Sequence, residues 1–189
     1  MPEATLNELA ALAVRGDRRA AEELLATVRA MVLPYCRARL GHQQRVIGSA
    51  EDVAQDICLA VLTALARFEI RGLSFQAFVY GIAAHKVTDA YRAAARDRSE
   101  PMADIDDAAV NHDGPEQRVL RAEQSERLHR LLTVLSDQQR EILVLRVVIG
   151  LGAAEVAEVV RSTPGAVRVL QHRALARLRV ALASGNATP

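Results

Sequence analysis

Apolar residues recur at helical spacing along almost the whole chain, and this periodicity limits the fold more than any other feature. Apolar positions i, i+3, i+4 and i+7 share one face of an α-helix. Such stripes run through residues 6–14, 24–36, 53–68 and 75–83, and no apolar–polar alternation lasts long enough for a β-strand. The sequence therefore predicts an all-α fold that begins with a compact helical bundle.

Capping residues mark the starts of several helices. Asp17 precedes the second stripe. Ser49 opens the sequence SAED, in which a serine and an acidic residue three positions later can cap a helix reciprocally. Ser136 opens a similar sequence, SDQQ. These signals predict helices that begin directly after the three capping residues.

The stretch 98–117 differs in composition from its surroundings. It contains six acidic residues, two prolines and a glycine but few large apolar residues, so it has little to bury in a core. Residues 100–123 carry a net charge of −5, whereas the segments before and after them carry +2 and +4. The sequence predicts two small helical domains, residues 1–97 and 118–189, joined by an acidic flexible linker.

The second domain ends in the sequence RSTPGAVRVLQHRALARLR (161–179), which holds five arginines and no acidic residue. A short apolar helix at 153–160 precedes it, and Thr163 followed by Pro164 is a favourable helix start. This order predicts a helix-turn-helix whose second helix enters the DNA major groove, where arginine reads guanine and glutamine reads adenine. The outward side chains expected there are Arg168, Gln171, His172 and Arg173, while Arg177 and Arg179 are expected to meet phosphates.

Asp52, Gln55 and Asp56 share one polar face of the third helix, because they follow i, i+3, i+4 spacing. An acidic face should repel DNA, which favours a protein partner. A simply solvated face has the same pattern.

Five of the six aromatic residues lie within 68–91. Phe75 and Phe78 fit the apolar stripe and can belong to the core. Alternatively, some of these rings stack on unpaired bases beside cationic groups, as in proteins that hold single strands. On the same helix His85, Asp89, Arg92 and Arg96 form one polar stripe at i, i+4, i+7 and i+11, and Lys86 lies next to it.

Other protein classes find little support. The chain lacks a glycine-rich nucleotide loop, a cluster with metal-ligand spacing and a credible nucleophile–base pair, which predicts a non-enzyme without cofactor or metal. No apolar run approaches the ~20 residues that cross a bilayer, and the acidic N-terminus is unlike a signal peptide, so we expect the cytoplasm. Cys36 and Cys58 lie in apolar helical patterns and are predicted to be buried thiols.

Four segments, in this order and at this spacing, resemble the extracytoplasmic-function (ECF) sigma factors, the minimal two-domain sigma factors of bacteria. They are DVAQDICLAVLTALARF (52–68), SFQAFVYGIAAHKVTDAYR (74–92), LSDQQREILVLRVVIGL (135–151) and AAEVAEVVRSTPGAVRVLQHRALARL (153–178). The resemblance covers essentially the whole chain. Residues 77–94 also look close to the actinobacterial sigma D type.

The resemblance implies core RNA polymerase and promoter DNA as partners. The first domain would bind the β′ clamp helices, and the second domain would contact the β flap. The linker would pass near the RNA exit path, and an anti-sigma factor would hold the protein inactive. The residues carried over are Asp52, Gln55 and Asp56 for the polymerase; Phe75, Phe78, His85, Lys86, Asp89 and Arg92 for the −10 element; and Ser162, Thr163, Arg168, Gln171, His172 and Arg173 for the −35 element.

The chain departs from the common ECF pattern at four of its positions. Phe78 stands where many members have tryptophan, and His85 where many have asparagine. Ala166 and Leu170 stand where threonine and arginine are common. The −35 sequence that this chain reads therefore cannot be carried over from the family. The alternative function is a free-standing helix-turn-helix regulator that binds duplex operator DNA.

Overall fold

The structure is a computed structural model, and it describes residues 3–41, 47–68, 74–97 and 131–185. Within these ranges every regular element is helical and no strand occurs, which confirms the all-α prediction. The acidic linker lies outside the described residues. The boundaries at 97 and 118 therefore stay predictions.

Four helices make up the described part of the first domain. They are α1 (Glu3–Val14), α2 (Arg18–Leu40), α3 (Ala50–Leu65) and α4 (Phe75–Asp97). The central helix is α2, which packs against the other three. The predicted apolar stripes point inward, and the largest fully buried side chains of the stripes are Leu6, Leu24, Val28, Val32, Tyr35, Ile57, Val61, Phe75 and Val79.

Polar side chains cap the helices where the sequence predicts it. The Asp17 carboxylate accepts a hydrogen bond from the backbone N–H of Ala20 at 3.1 Å and begins α2. The Ser49 hydroxyl accepts from the backbone N–H of Asp52 at 3.1 Å and begins α3. The Ser49 hydroxyl also donates a hydrogen bond to the Asp52 carboxylate at 2.7 Å.

In the described part of the second domain, residues 131–133 are helical and three further helices follow. α5 (Asp137–Leu143) continues into a π-helical turn (Val144–Val148), and α6 (Ala153–Val159) and α7 (Pro164–Gly185) follow. The predicted capping box at Ser136 is confirmed, because both of its reciprocal hydrogen bonds with Gln139 are present. The helix α7 runs past the predicted end near 178, since residues 180–184 contain no helix breaker.

The two domains pack against each other. The helix α2 lies against the π-helical turn, and α4 lies against α6. Buried apolar side chains from both domains form one continuous cluster. In this structure the domains therefore form one closed body, an arrangement that the local sequence patterns do not predict.

The thiol of Cys36 is expected to be unreactive in the folded protein. Its side chain is fully buried, and burial raises the pKa to about 12, with a smaller contribution from nearby Cys58 and Glu51. At pH 8 roughly one Cys36 in ten thousand is then a thiolate, the form that reacts. Burial also raises the pKa of the half-buried Cys58, although Arg29 lowers it.

Thiol titration with a disulfide reagent checks this expectation. A Cys58→Ala variant leaves Cys36 as the single thiol, so its signal is unambiguous. We expect a very slow reaction in the native variant and a fast one in denaturant. Rapid native labelling at pH 8 would show that Cys36 is accessible. For the same reason, exchanging both cysteines for serine should leave any response to oxidants unchanged.

Candidate DNA-binding and partner-binding faces

The helices α6 and α7 form the predicted helix-turn-helix. The turn contains Arg161, which has a φ of +50°, and the backbone N–H of Ser162 donates to the Ala157 carbonyl at 2.8 Å. The Thr163 hydroxyl accepts from the backbone N–H of Ala166 at 3.2 Å, and Pro164 is the first helical residue. Ala157 is small and buried. These contacts fix how α7 leaves the turn.

The exposed side of α7 is cationic. Val167 and Ala174 are fully buried and hold the helix to its own domain. Arg168, His172 and Arg173 are exposed, and no acidic residue occurs on this helix. Such a face suits the negative potential of a DNA groove. Arg177 differs from the other arginines, because it donates to the Gln139 side chain at 3.1 Å and so also ties α7 to α5.

Gln171 does not face outward as the sequence predicted. It is half-buried, and its side-chain oxygen accepts a hydrogen bond from Nε of Arg146 at 3.0 Å. Arg146 also donates to the Leu151 carbonyl, which anchors it to the π-helical turn and the loop after it. A paired contact to adenine needs both the oxygen and the nitrogen of a glutamine side chain. In this structure the oxygen is engaged, so Gln171 joins α7 to its domain.

Two residues with hydroxyl groups, Ser162 and Thr163, form the turn and the cap at the start of α7. Ser162 is half-buried within the turn. Thr163 is exposed, but its hydroxyl oxygen already accepts the capping hydrogen bond. Both residues therefore shape the entry of α7, and the Thr163 hydroxyl keeps its proton for donation to a phosphate.

The polar stripe of α4 lies on the surface of the first domain. His85, Asp89 and Arg92 are exposed, and Lys86 is half-buried. Arg92 and Asp89 form an ion pair at 3.6 Å, with both side chains about 70% exposed. A pair this open contributes little to stability, so both groups stay free to contact a partner.

The aromatic residues at the start of α4 pack into one cluster. The Phe75 ring centroid lies 5.2 Å from that of Phe68 and 5.8 Å from that of Phe78. Phe75 has no exposed surface, which favours the interpretation that it belongs to the core. Phe78 is half-buried. Phe75 therefore cannot stack on a base in this structure, and Phe78 retains some accessible ring.

Asp52, Gln55 and Asp56 are all exposed on α3, as the helical spacing predicts. The same helix also exposes two large apolar side chains, Leu59 at 57% and Leu62 at 43%. Sequence reasoning missed these leucines, although they stand outside the apolar stripe of α3. Exposed apolar residues bordered by charged ones are typical of protein-binding surfaces.

The described segments contain no group of three histidine, cysteine, aspartate or glutamate residues placed to hold a metal ion. None of their helices combines the length and the apolar character that a membrane span requires.

Two family models match this chain. The model of sigma-70 region 2 matches residues 24–97, and that of sigma-70 region 4 matches residues 125–178. The first match contains α3 and α4 with their polar faces, and the second contains the helix-turn-helix. Together the two matches cover more than half of the chain.

Curated relatives and a solved structure agree with the family models. The ECF RNA polymerase sigma factor SigD of Mycobacterium tuberculosis is 53% identical over 92% of this chain and 82% of that protein. The ECF sigma factor ShbA of Streptomyces griseus is 46% identical over 88% and 90%. The structure of CnrH in complex with the cytosolic domain of CnrY matches with a TM-score of 0.69 and 25% identity, over 95% and 98%. The chain therefore belongs to the ECF RNA polymerase sigma factors, and within them it is of the SigD type.

Proposed function

We propose that this chain, an alternative sigma factor that directs transcription initiation, binds core RNA polymerase through the exposed face of α3. The face combines the acidic Asp52 and Asp56 with Gln55, Leu59 and Leu62. The carboxylates suit a basic partner surface and repel DNA, while the leucines supply apolar area that a protein partner can cover. The β′ clamp helices are the proposed partner here, and the β flap is the proposed partner of the second domain.

The helix α7 is the proposed reader of the −35 element. Its exposed Arg168, His172 and Arg173 stand on a face without any acidic residue, and this observation carries the assignment. Ser162 and Thr163 lie at the helix start, where backbone N–H groups attract phosphate. Gln171 has a positioning role through its hydrogen bond with Arg146.

The exposed stripe of α4 is the proposed contact for the −10 element. It offers the cationic Lys86 and Arg92 beside the polar His85 and Asp89, and Phe78 lies near the start of the same helix with part of its ring accessible. Aromatic and cationic groups together hold unpaired bases and their phosphates. Phe75 supports this region from the core by packing against Phe78.

An anti-sigma factor is the proposed regulator, and the cytoplasm is the proposed location. The structure of CnrH, which holds the cytosolic domain of CnrY, resembles this chain over both domains. That likeness supports an anti-sigma partner for this chain. The proposed partners, core RNA polymerase and promoter DNA, support the cytoplasm as the location.

Run-off transcription tests the proposed function. The assay combines purified core RNA polymerase, this protein and a template carrying the region upstream of its own gene. We expect transcripts that appear only when the protein is added, and their start sites define the −10 and −35 sequences. A footprint on duplex DNA by the protein alone, without any transcript, would instead indicate a free-standing helix-turn-helix regulator.

A further inference from the structure

A buried polar network joins the two domains. The Tyr35 hydroxyl on α2 donates to Glu141 Oε1 on α5 at 2.7 Å, across 106 positions of sequence. The Nε atom of Arg39, one turn further along α2, lies 2.7 Å from Glu141 Oε2. The side chains of Arg39 and Glu141 are only 6% and 10% exposed. The two domains thus share one enclosed ion pair, and the charge on each side is balanced only while they are packed together.

Apolar side chains surround this network on both sides. Tyr35 and Tyr80 of the first domain belong to the same buried cluster as Ile142, Leu145 and Val156 of the second. Burial raises the pKa of Tyr35 well above its usual value, so the phenol keeps the proton that it donates. The network is therefore the polar centre of an otherwise apolar interface.

The ion pair is close in distance but incompletely bonded. Nη1 of Arg39 is buried and has no hydrogen-bond partner among the described residues. When the domains separate, water can hydrate Arg39 and Glu141 fully. The energy lost by breaking the pair is then largely offset by hydration, which is how a contact can hold two domains and still release them.

The closed body is too small to occupy a whole promoter. A compact chain of 189 residues has a radius of gyration of about 16 Å and is roughly 40 Å across. The −35 and −10 elements are about 25 base pairs apart, or roughly 85 Å of duplex at ~3.4 Å per base pair. Residues 98–117, whose covalent length reaches at most about 70 Å, permit the domains to separate. The domains must therefore part before α7 and α4 can reach both elements.

We propose that Tyr35, Arg39 and Glu141 form a latch that holds this sigma factor closed and silent until its domains are drawn apart on the polymerase. The inference rests on the proposed function only for the link to transcription. The closure itself depends on the contacts alone. Removing one partner of the buried pair leaves the other charge enclosed and unbalanced, which disfavours the closed form without affecting the open form.

Paired substitutions test the latch. Arg39→Met or Glu141→Leu alone should open the protein, and small-angle X-ray scattering should show a radius of gyration larger by about a third. The double variant Arg39→Met/Glu141→Leu replaces the pair with apolar contact and should close it again. General unfolding cannot explain such a reversal. The matched control is Glu158→Leu, because Glu158 is exposed on α6 and should leave the scattering unchanged.

The link to transcription is measured by run-off assays at limiting core polymerase. Each single variant should reach half-maximal activity at an about five- to tenfold lower protein concentration than the wild type, since less of it is held in an incompetent form. The double variant should need at least as much protein as the wild type. The proposal is overturned if the single variants scatter like the wild type. It is also overturned if they open but do not reach half-maximal activity at a lower protein concentration. A lack of transcripts from every variant, the wild type included, contradicts the proposed function, and the scattering then still decides whether the latch exists.

Discussion

Exchanging both Asp52 and Asp56 for arginine is expected to abolish binding to core RNA polymerase. Both carboxylates are exposed on α3, so the exchange turns an acidic surface basic without touching the core. Against a basic partner surface, we expect the dissociation constant to rise at least about 100-fold, or roughly 2.7 kcal/mol. Fluorescence titration or co-elution with core enzyme measures this loss.

Folding should survive this change. Asp52 lies in the first turn of α3 and bonds to Ser49, so its loss costs the helix about 1 kcal/mol at most. The matched control is Glu22→Arg with Glu23→Arg, because both glutamates are exposed and belong to α2, outside the proposed face on α3. That control should bind polymerase normally. Normal co-elution of the α3 variant itself would reject the proposed face.

Arg168→Ala and Arg173→Ala should each weaken transcription that depends on the −35 element. Both side chains are exposed on the cationic side of α7, so their removal leaves the core intact. An arginine that reads a guanine contributes roughly 1–3 kcal/mol of discrimination, so each variant should lose about 5- to 150-fold in promoter affinity. Run-off transcription over a range of promoter concentrations measures this loss.

A promoter substitution separates base reading from phosphate binding. If Arg168 reads a base, changing that base should remove the difference between wild type and variant. The control is Arg179→Ala on the same exposed helix, which should weaken every template alike and reduce the salt dependence of binding. Wild-type promoter strength in both the Arg168 and the Arg173 variants would reject α7 as the recognition helix.

Local signals predicted the helices well, because each one is encoded within a few residues. Asp17, Ser136 and Thr163 all cap the helices that follow them. The apolar stripes point inward, and the acidic face of α3 points outward. A three- or four-residue spacing determines both which side of a helix is buried and where its first free N–H groups find an acceptor.

Some site residues differ from the sequence prediction in their burial or orientation, and the cause is a contact with residues distant in the sequence. Gln171 faces inward because Arg146, 25 positions earlier, donates to its side-chain oxygen. Phe75 is fully buried because Phe68 and Phe78 close over it. Leu59 and Leu62 are exposed because no other described helix covers that side of α3. Periodicity assigns a residue to a face of its helix, but it does not say what that face meets.

The amino-acid sequence alone was enough to predict the helical class, the helix starts, the helix-turn-helix and the resemblance to ECF sigma factors. These features depend on short-range periodicity, capping and motif order, all of which are written along the chain. The packing of the two domains against each other through Tyr35, Arg39 and Glu141 is seen only in the three-dimensional fold. Tyr35 and Glu141 are 106 positions apart, so no local sequence pattern predicts their contact. The contact forms only when the surfaces of the two helical domains pack together and exclude water.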